Sequence, residues 1–364
     1  MRRFGHIAFS AALAMVIGCS DQSPGDATCE VAAPYGMRGP HVAGVTTFMR
    51  ADIPIEVWYP ADPGVEAGLS KDVYDIREWL PQDVAERIPD GEATQHVTDA
   101  YRDVPASAAR FPIVLFSHGL GGYRSQSSFL CAHLATWGFV VVAPEHPERG
   151  LAAVLGNQQL GDNSPAALLD ALEMLKGEDV LAWGRLEGRL DFGHVAVSGH
   201  SMGGGAVMVD ATDPQIHAWF TLATLAAGSA PGKPSLMMAG MVDSVAVIDQ
   251  VRNEYTKKAA PKRFAAIAEA GHLAFTDICT INREGGGLFG LAQKYGVEVG
   301  DMLVTIGTDG CGADNLPAEE GWPAINHYVT AHLRAAFSID AAPVGLDQPA
   351  ADCFSGILAE YAQE

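Results

Sequence analysis

The sequence is poor in positive charge: 23 Lys and Arg stand against 44 Asp and Glu, a formal net charge of -21 at pH 7. That balance excludes the basic patch that nucleic acid or an anionic lipid surface requires. A neutral or apolar small molecule suits such a surface better. No Cys/His spacing matches a zinc site, so neither a metal nor another cofactor is expected. No internal repeat or low-complexity block appears, which excludes solenoids and propellers. What is present is a 364-residue chain with 48% hydrophobic and 18% charged residues, enough to bury a large core in one α/β domain.

Arg2 and Arg3 precede an apolar run from Ile7 to Ile17, the n-region and h-region of an export signal. The run is too short to span a bilayer as a permanent helix. It ends in Val16-Ile17-Gly18-Cys19, which resembles the bacterial lipobox. The resemblance implies cleavage before Cys19 and lipid attachment there, the only membrane contact expected, in a periplasmic or outer-membrane setting. The chain then divides into a signal peptide (1–18), a flexible tether (19–40), a catalytic domain (41–340) and a C-terminal extension (341–364). Five further cysteines, an odd number, remain in an oxidising compartment. Cys279 with Cys311 and Cys29 with Cys353 are the candidate bridges, and Cys131, inside an apolar helical pattern, is the candidate buried thiol.

From His41 onward strand-like and helix-like stretches alternate, which predicts a mostly parallel sheet covered by helices on both faces. Val42–Arg50 and Ile53–Tyr59 read as an opening antiparallel hairpin, and 61–110 as an excursion of loops and short helices. Pro112–Ser117, Phe139–Ala143 and His194–Ser198 are short apolar runs expected to be buried strands. Ala218–Ala223, Ser235–Gly240 and Arg263–Ala268 continue the series. Helices are expected over Ser127–Trp137, Pro165–Leu175, Ser201–Ala211, Val245–Lys257 and Pro323–Phe337.

Gly199-His200-Ser201-Met202-Gly203 fits G-x-S-x-G between a predicted strand and a predicted helix. A serine held on so sharp a turn needs flanking glycines for the backbone to pass, and the helix behind it aims free N–H groups at developing negative charge. Acyl transfer needs two donors for its oxyanion. The amide of Met202 is one candidate, and that of Leu120, in the glycine-rich loop Ser117–Gly122, is the other. The serine also needs a histidine base and an orienting carboxylate, in the order serine, acid, histidine. His272 follows a strand on a glycine turn and is the candidate base; His217, His327 and His332 read as structural. Asp243 lies just past a strand end and is the candidate acid, with Asp249 as substitute and Asp277 as a supporting group.

Phe116–Arg124, Gly138–His146, Ile55–Pro60 and His272 with Phe275 and Asp277 resemble platelet-activating-factor acetylhydrolases. The elbow with its run Gly203-Gly204-Gly205 and the position of Asp243 are more similar to bacterial cutinases and polyester hydrolases of the dienelactone-hydrolase-like group. These resemblances imply an α/β-hydrolase fold and a serine carboxylic-ester hydrolase acting on small or medium esters. Polyester or phospholipid esters are the alternatives within enzymes, and a non-catalytic binding lipoprotein the alternative outside them. One departure is that no carboxylate follows the strand after the elbow helix, where the acetylhydrolases carry their acid. Another is the stretch from Thr280 to Gly321, absent from cutinases, which is expected to form a partial lid.

Overall fold

Apolar runs bounded by turns become strands buried on both faces. In Phe111–Ser117, Ile113 and Leu115 enter one core cluster while Val114 and Phe116 enter the other, the two-residue alternation of a pleated strand between two helical layers. The computed structural model describes residues 24–156, 158–161, 163–177, 185–228 and 232–364. The expected signal segment and Cys19 lie outside the described residues.

The strands are β1 (Val42–Arg50), β2 (Ile53–Ala61), β3 (Val73–Asp75), β4 (Gln95–Val97), β5 (Tyr101–Arg102), β6 (Phe111–Ser117), β7 (Val140–Pro144), β8 (Leu190–His200), β9 (Ala218–Leu222), β10 (Ser235–Gly240), β11 (Lys262–Ile267) and β12 (Leu358–Gln363). Ten of them form one sheet in the order β12-β11-β10-β9-β8-β6-β7-β2-β1-β5. Its centre, from β7 to β11, is parallel; β2 runs antiparallel to both β7 and β1, β12 runs antiparallel to β11, and the edge strand β5 pairs parallel with β1. One face packs against the helices Ser128–Thr136 and Ala318–Ala336. Ser164–Lys176, Gly203–Asp210 and Ile248–Thr256 cover the other. The 61–110 excursion holds the separate β3–β4 pair, a 3-10 turn at Ile76–Trp79 and a short helix at Gln82–Ala85.

Apart from shifts of a few residues at element ends, the structure differs from the sequence reading in three places. The closing helix begins at Ala318 rather than Pro323, and Pro323 sits inside it. A proline early in a helix gives up one hydrogen bond but keeps a helical φ, so it did not mark the start. The stretch read as a tether carries structure from residue 24 on. Pro24–Ala32 is helical, Tyr35 is buried against Trp137, and its hydroxyl donates to Asp340 at 2.7 Å. The C-terminal extension supplies the edge strand β12, whose antiparallel register on β11 runs from Arg263↔Gln363. Polar, locally aperiodic segments are read as loops, and here long-range partners order them.

Disulfides join Cys29 to Cys353 and Cys279 to Cys311, and Cys131 is a buried free thiol. The first bridge ties the N-terminal helix to the segment leading into β12 across 324 residues of sequence. The second closes the insertion after β11, which contains the helices Gly287–Lys294 and Asp301–Thr308.

Asp210, the last residue of the helix Gly203–Asp210, is 1% exposed, and neither carboxylate oxygen has a hydrogen-bond partner among the described residues. Burial, then the nearby Asp213 charge, pushes its pKa up to about 8. A carboxyl whose folded pKa is raised loses stability as pH climbs from its ordinary value toward the folded one. Asp210→Asn should therefore gain in melting temperature over wild type progressively between pH 4 and about pH 8. A difference that stays constant over that range would contradict the buried, unpaired carboxyl.

Candidate active site

The order of the central strands places a crevice before any side chain is considered. From β6 the chain crosses to β7 on one side and then returns to β8 on the other. The loops leaving the carboxyl ends of β6 and β8 therefore diverge, and such a switch point is where open α/β sheets bind ligands. Leu120 lies on the loop after β6, and Ser201 and Met202 follow β8. Asp243 comes after β10 and His272 after β11. Four strand ends thus bring all five candidate residues to one edge of the sheet.

Ser201 sits at φ +54, a left-handed conformation that costs a side-chain-bearing residue strain. Its neighbours explain the glycines. A Cβ on Gly199 would lie 2.4 Å from the backbone of Gly203, and one on Gly203 would lie 2.2 Å from the Ser117 carbonyl oxygen. The turn is held by the Ser201 amide donating to the Leu222 carbonyl at 3.0 Å and by the Thr224 hydroxyl donating to the Ser201 carbonyl at 2.8 Å.

Ser201 Oγ lies 2.7 Å from His272 Nε2, and His272 Nδ1 lies 2.9 Å from Asp243 Oδ2. Because a carboxylate only accepts, the imidazole proton belongs on Nδ1, which leaves Nε2 free to accept from the serine hydroxyl. Asp243 is in turn fixed by the amides of Val245 and Ala246, which donate to its Oδ1 at 2.8 and 2.7 Å. His272 and Asp243 are buried, whereas Ser201 is partly open to solvent. Gly119 packs so closely that a Cβ there would stand 3.0 Å from Ser201 Cβ, which sets the following residue, Leu120, beside the serine. Neither the Leu120 nor the Met202 amide has a hydrogen-bond partner among the described residues.

The competing residues are engaged elsewhere. Asp249 is exposed and pairs with Arg252 at 2.6 Å. Asp277 receives the amides of Ser128 and Phe129 at 2.8 and 3.2 Å, so it caps a helix rather than touching His272. His327 bonds to the Gly345 carbonyl, His332 to that of Trp219, and His217 accepts from the Val195 amide. Tyr123 and Trp219 are both fully buried, and Tyr123 stacks on Trp79 at 4.5 Å.

Residues 50–168 match the family model of platelet-activating factor acetylhydrolase, isoform II. The platelet-activating factor acetylhydrolase of Gallus gallus is 25% identical over 248 residues, 47% of this chain and 55% of that protein. The enzyme of that name from Cavia porcellus is 30% identical over 143 residues, 29% of this chain and 33% of its own length. The chain thus spans about half or less of these relatives. A solved ferulic acid esterase from Streptomyces cinnamoneus superposes with a TM-score of 0.58 at 19% identity, covering 82% of this chain and 90% of that one. The chain has the α/β-hydrolase fold.

The region that matches the family model carries the Leu120 loop and the buried network behind it, whereas Ser201, Asp243 and His272 lie beyond it. Arg149, fully buried, donates to the Ser117 hydroxyl at 2.7 Å and the His118 carbonyl at 2.6 Å. Glu145 takes Trp79 Nε1 at 2.7 Å and pairs with His118 at 3.0 Å and Arg124 at 3.3 Å. Burial alone would raise this carboxyl, but His118 and then Arg124 outweigh it and hold it down at about 2.

Four more positioning contacts escaped the sequence reading. His200 Nε2 meets the His272 carbonyl at 3.0 Å, and its Nδ1 meets Gln126 Nε2 at 3.0 Å. Burial, followed by the neighbouring His272, lowers His200 to about 3, so it stays neutral. From the insertion, Asp309 accepts the His272 amide at 2.8 Å on one oxygen and the Ser244 amide at 2.8 Å on the other, joining the base loop to the acid loop. His200 lies inside the elbow motif and Gln126 follows the glycine loop; no local signal marks Asp309.

The glycine geometry gives a paired test. Gly203→Ala should lower unfolding free energy by about 1–3 kcal/mol through overpacking against Ser117. Gly205→Ala, with open space around its Cβ, should raise it by about 0.5–1 kcal/mol through helix propensity. Urea titration of both variants reads this, and equal effects would contradict the close approach of β6 to the elbow.

Proposed function

We propose that this α/β-hydrolase is a serine carboxylic-ester hydrolase acting on small or medium esters. The observation that carries the reading is the continuous hydrogen-bonded line from Ser201 through His272 to Asp243, open to solvent at its serine end. In this reading Ser201 Oγ attacks the ester carbonyl as its proton passes to His272 Nε2, and Asp243 stabilises the imidazolium. The amides of Leu120 and Met202 take the oxyanion. His272 then protonates the leaving alcohol. Water attacks the acyl-enzyme with His272 again as base, and the acid is released with Ser201 restored. The acetylhydrolase relatives and the esterase neighbour support ester substrates over other acyl compounds.

Export follows from the same reading. Arg2, Arg3 and the run to Ile17 serve as a signal segment, and Cys19 carries the lipid that anchors the enzyme in the cell envelope. The two disulfides suit such an oxidising compartment. No helix among the described residues is long and apolar enough to cross a membrane.

Turnover of p-nitrophenyl acetate and butyrate tests the chemistry: Ser201→Ala should lose on the order of a million-fold in kcat. A variant that hydrolyses these esters at the wild-type rate would overturn the assignment. Cys19→Ser, expressed with the signal segment, should move the protein from the membrane to the soluble fraction, and unchanged fractionation would remove the anchor.

A further inference from the structure

An apolar cavity of about 110 Å³ adjoins the site, with Leu120 of the glycine loop and Leu273, the residue after His272, among its walls. Leu80 and Val84 of the 61–110 excursion line it, and so do Phe289, Ala292 and Leu303 of the insertion after β11. Every lining residue is aliphatic, phenylalanine or glycine. No side chain there donates or accepts a hydrogen bond, so a polar or charged group entering it would lose hydration without compensation. A hydrocarbon chain would gain by leaving water.

The roof of this chamber is a built element. The Cys279–Cys311 disulfide closes the insertion at its base. Close to that bridge, Asp309 fixes the insertion to the amides of His272 and Ser244, and its own carbonyl accepts the Leu273 amide at 2.8 Å. Leu303 Cδ2 stands 3.2 Å from the position a Cβ on Gly121 would occupy, so the insertion rests directly on the glycine loop. Its two helices touch, since a Cβ on Gly307 would come within 2.7 Å of the Phe289 ring. The cavity is therefore preformed and shares its anchors with the base and acid loops.

Resting on the ester-hydrolysis reading, we propose that this chamber binds the unbranched apolar chain of the ester and that its volume sets the longest chain accepted. A dry cavity of roughly 150 Å³ lined by Leu, Ile and Phe holds a benzene-sized guest, which points to a chain of roughly four to six carbons here. A charged headgroup has no place inside it and would remain at the mouth. The insertion thus acts as a selectivity wall for linear apolar chains.

Two ester series identify which side of the ester enters: p-nitrophenyl esters from acetyl to dodecanoyl, and alkyl acetates from methyl to dodecyl. In the series whose variable chain occupies the chamber, kcat/KM should rise about fourfold per methylene until the chamber is full and then stop rising. Ala292→Phe should cut the six-carbon member at least about tenfold while leaving the shortest member within about twofold. Phe289→Ala should move the optimum to longer chains. Melting curves establish that both variants fold. Variants that keep the wild-type chain-length profile in both series overturn the chamber assignment while leaving ester hydrolysis intact. A wild type inert on both series instead defeats the ester reading. The chamber is then read by the melting-temperature shift with 1-hexanol: a shift lost in Ala292→Phe supports it, and no shift in wild type overturns it.

Discussion

The strained turn at Ser201 is the constraint on which the rest of the site depends. Holding that residue at φ +54 requires the elbow to pass within contact distance of the end of β6, and the clashes that side chains at Gly199 and Gly203 would make show how little space is left. The closeness has chemical consequences. It sets the Leu120 loop beside the serine, and the Met202 amide, just before the helix after β8, has no hydrogen-bond partner among the described residues. The strain of order 1–3 kcal/mol that such a residue carries is offset by bonds to the Thr224 hydroxyl and the Leu222 carbonyl.

Around that turn, loops from distant parts of the chain are locked by hydrogen bonds to backbone atoms. Arg149 fixes the β6 loop through the His118 carbonyl, His200 fixes the base loop through the His272 carbonyl, and Asp309 fixes the base and acid loops through their amides. A carbonyl or amide is a stable reference point, so each contact orients a loop. Behind the β6 loop, the charges of Glu145, Arg124 and Glu56 compensate one another. A preorganised polar surrounding of this kind lets a reaction build charge without reorganising its environment.

Much of this arrangement was legible in the sequence because it rests on local rules. Buried strands such as β6 and β7 announce themselves as short apolar runs between turns, and the G-x-S-x-G segment fixes a strand, a turn and a helix at once. Asp243 and His272 could be chosen because each follows a strand end, and the structure brings both within hydrogen-bond reach of the serine line. Both cysteine pairs were also readable, one from its position near the termini and one from the loop it closes. What stayed hidden depends on contacts between residues far apart in sequence. Asp309 stands 37 positions from the amide it receives, and β12 looks like a polar tail until β11 supplies its ladder. The same holds for the helix Pro24–Ala32, whose order goes with a bridge to Cys353. The insertion was read only as a partial lid, because the use of its two helices depends on Leu120 and Leu273 lying beneath them.

The central claim is that Ser201 is an activated nucleophile facing a preformed oxyanion site. Labelling of the folded protein with an alkyl fluorophosphonate, followed by intact mass and peptide mapping, tests it most directly. The account predicts a single adduct on Ser201, formed within minutes at neutral pH, and strongly slowed when His272 is replaced by Ala. An unlabelled protein, or an adduct on any other residue formed at the same rate in both proteins, would contradict it.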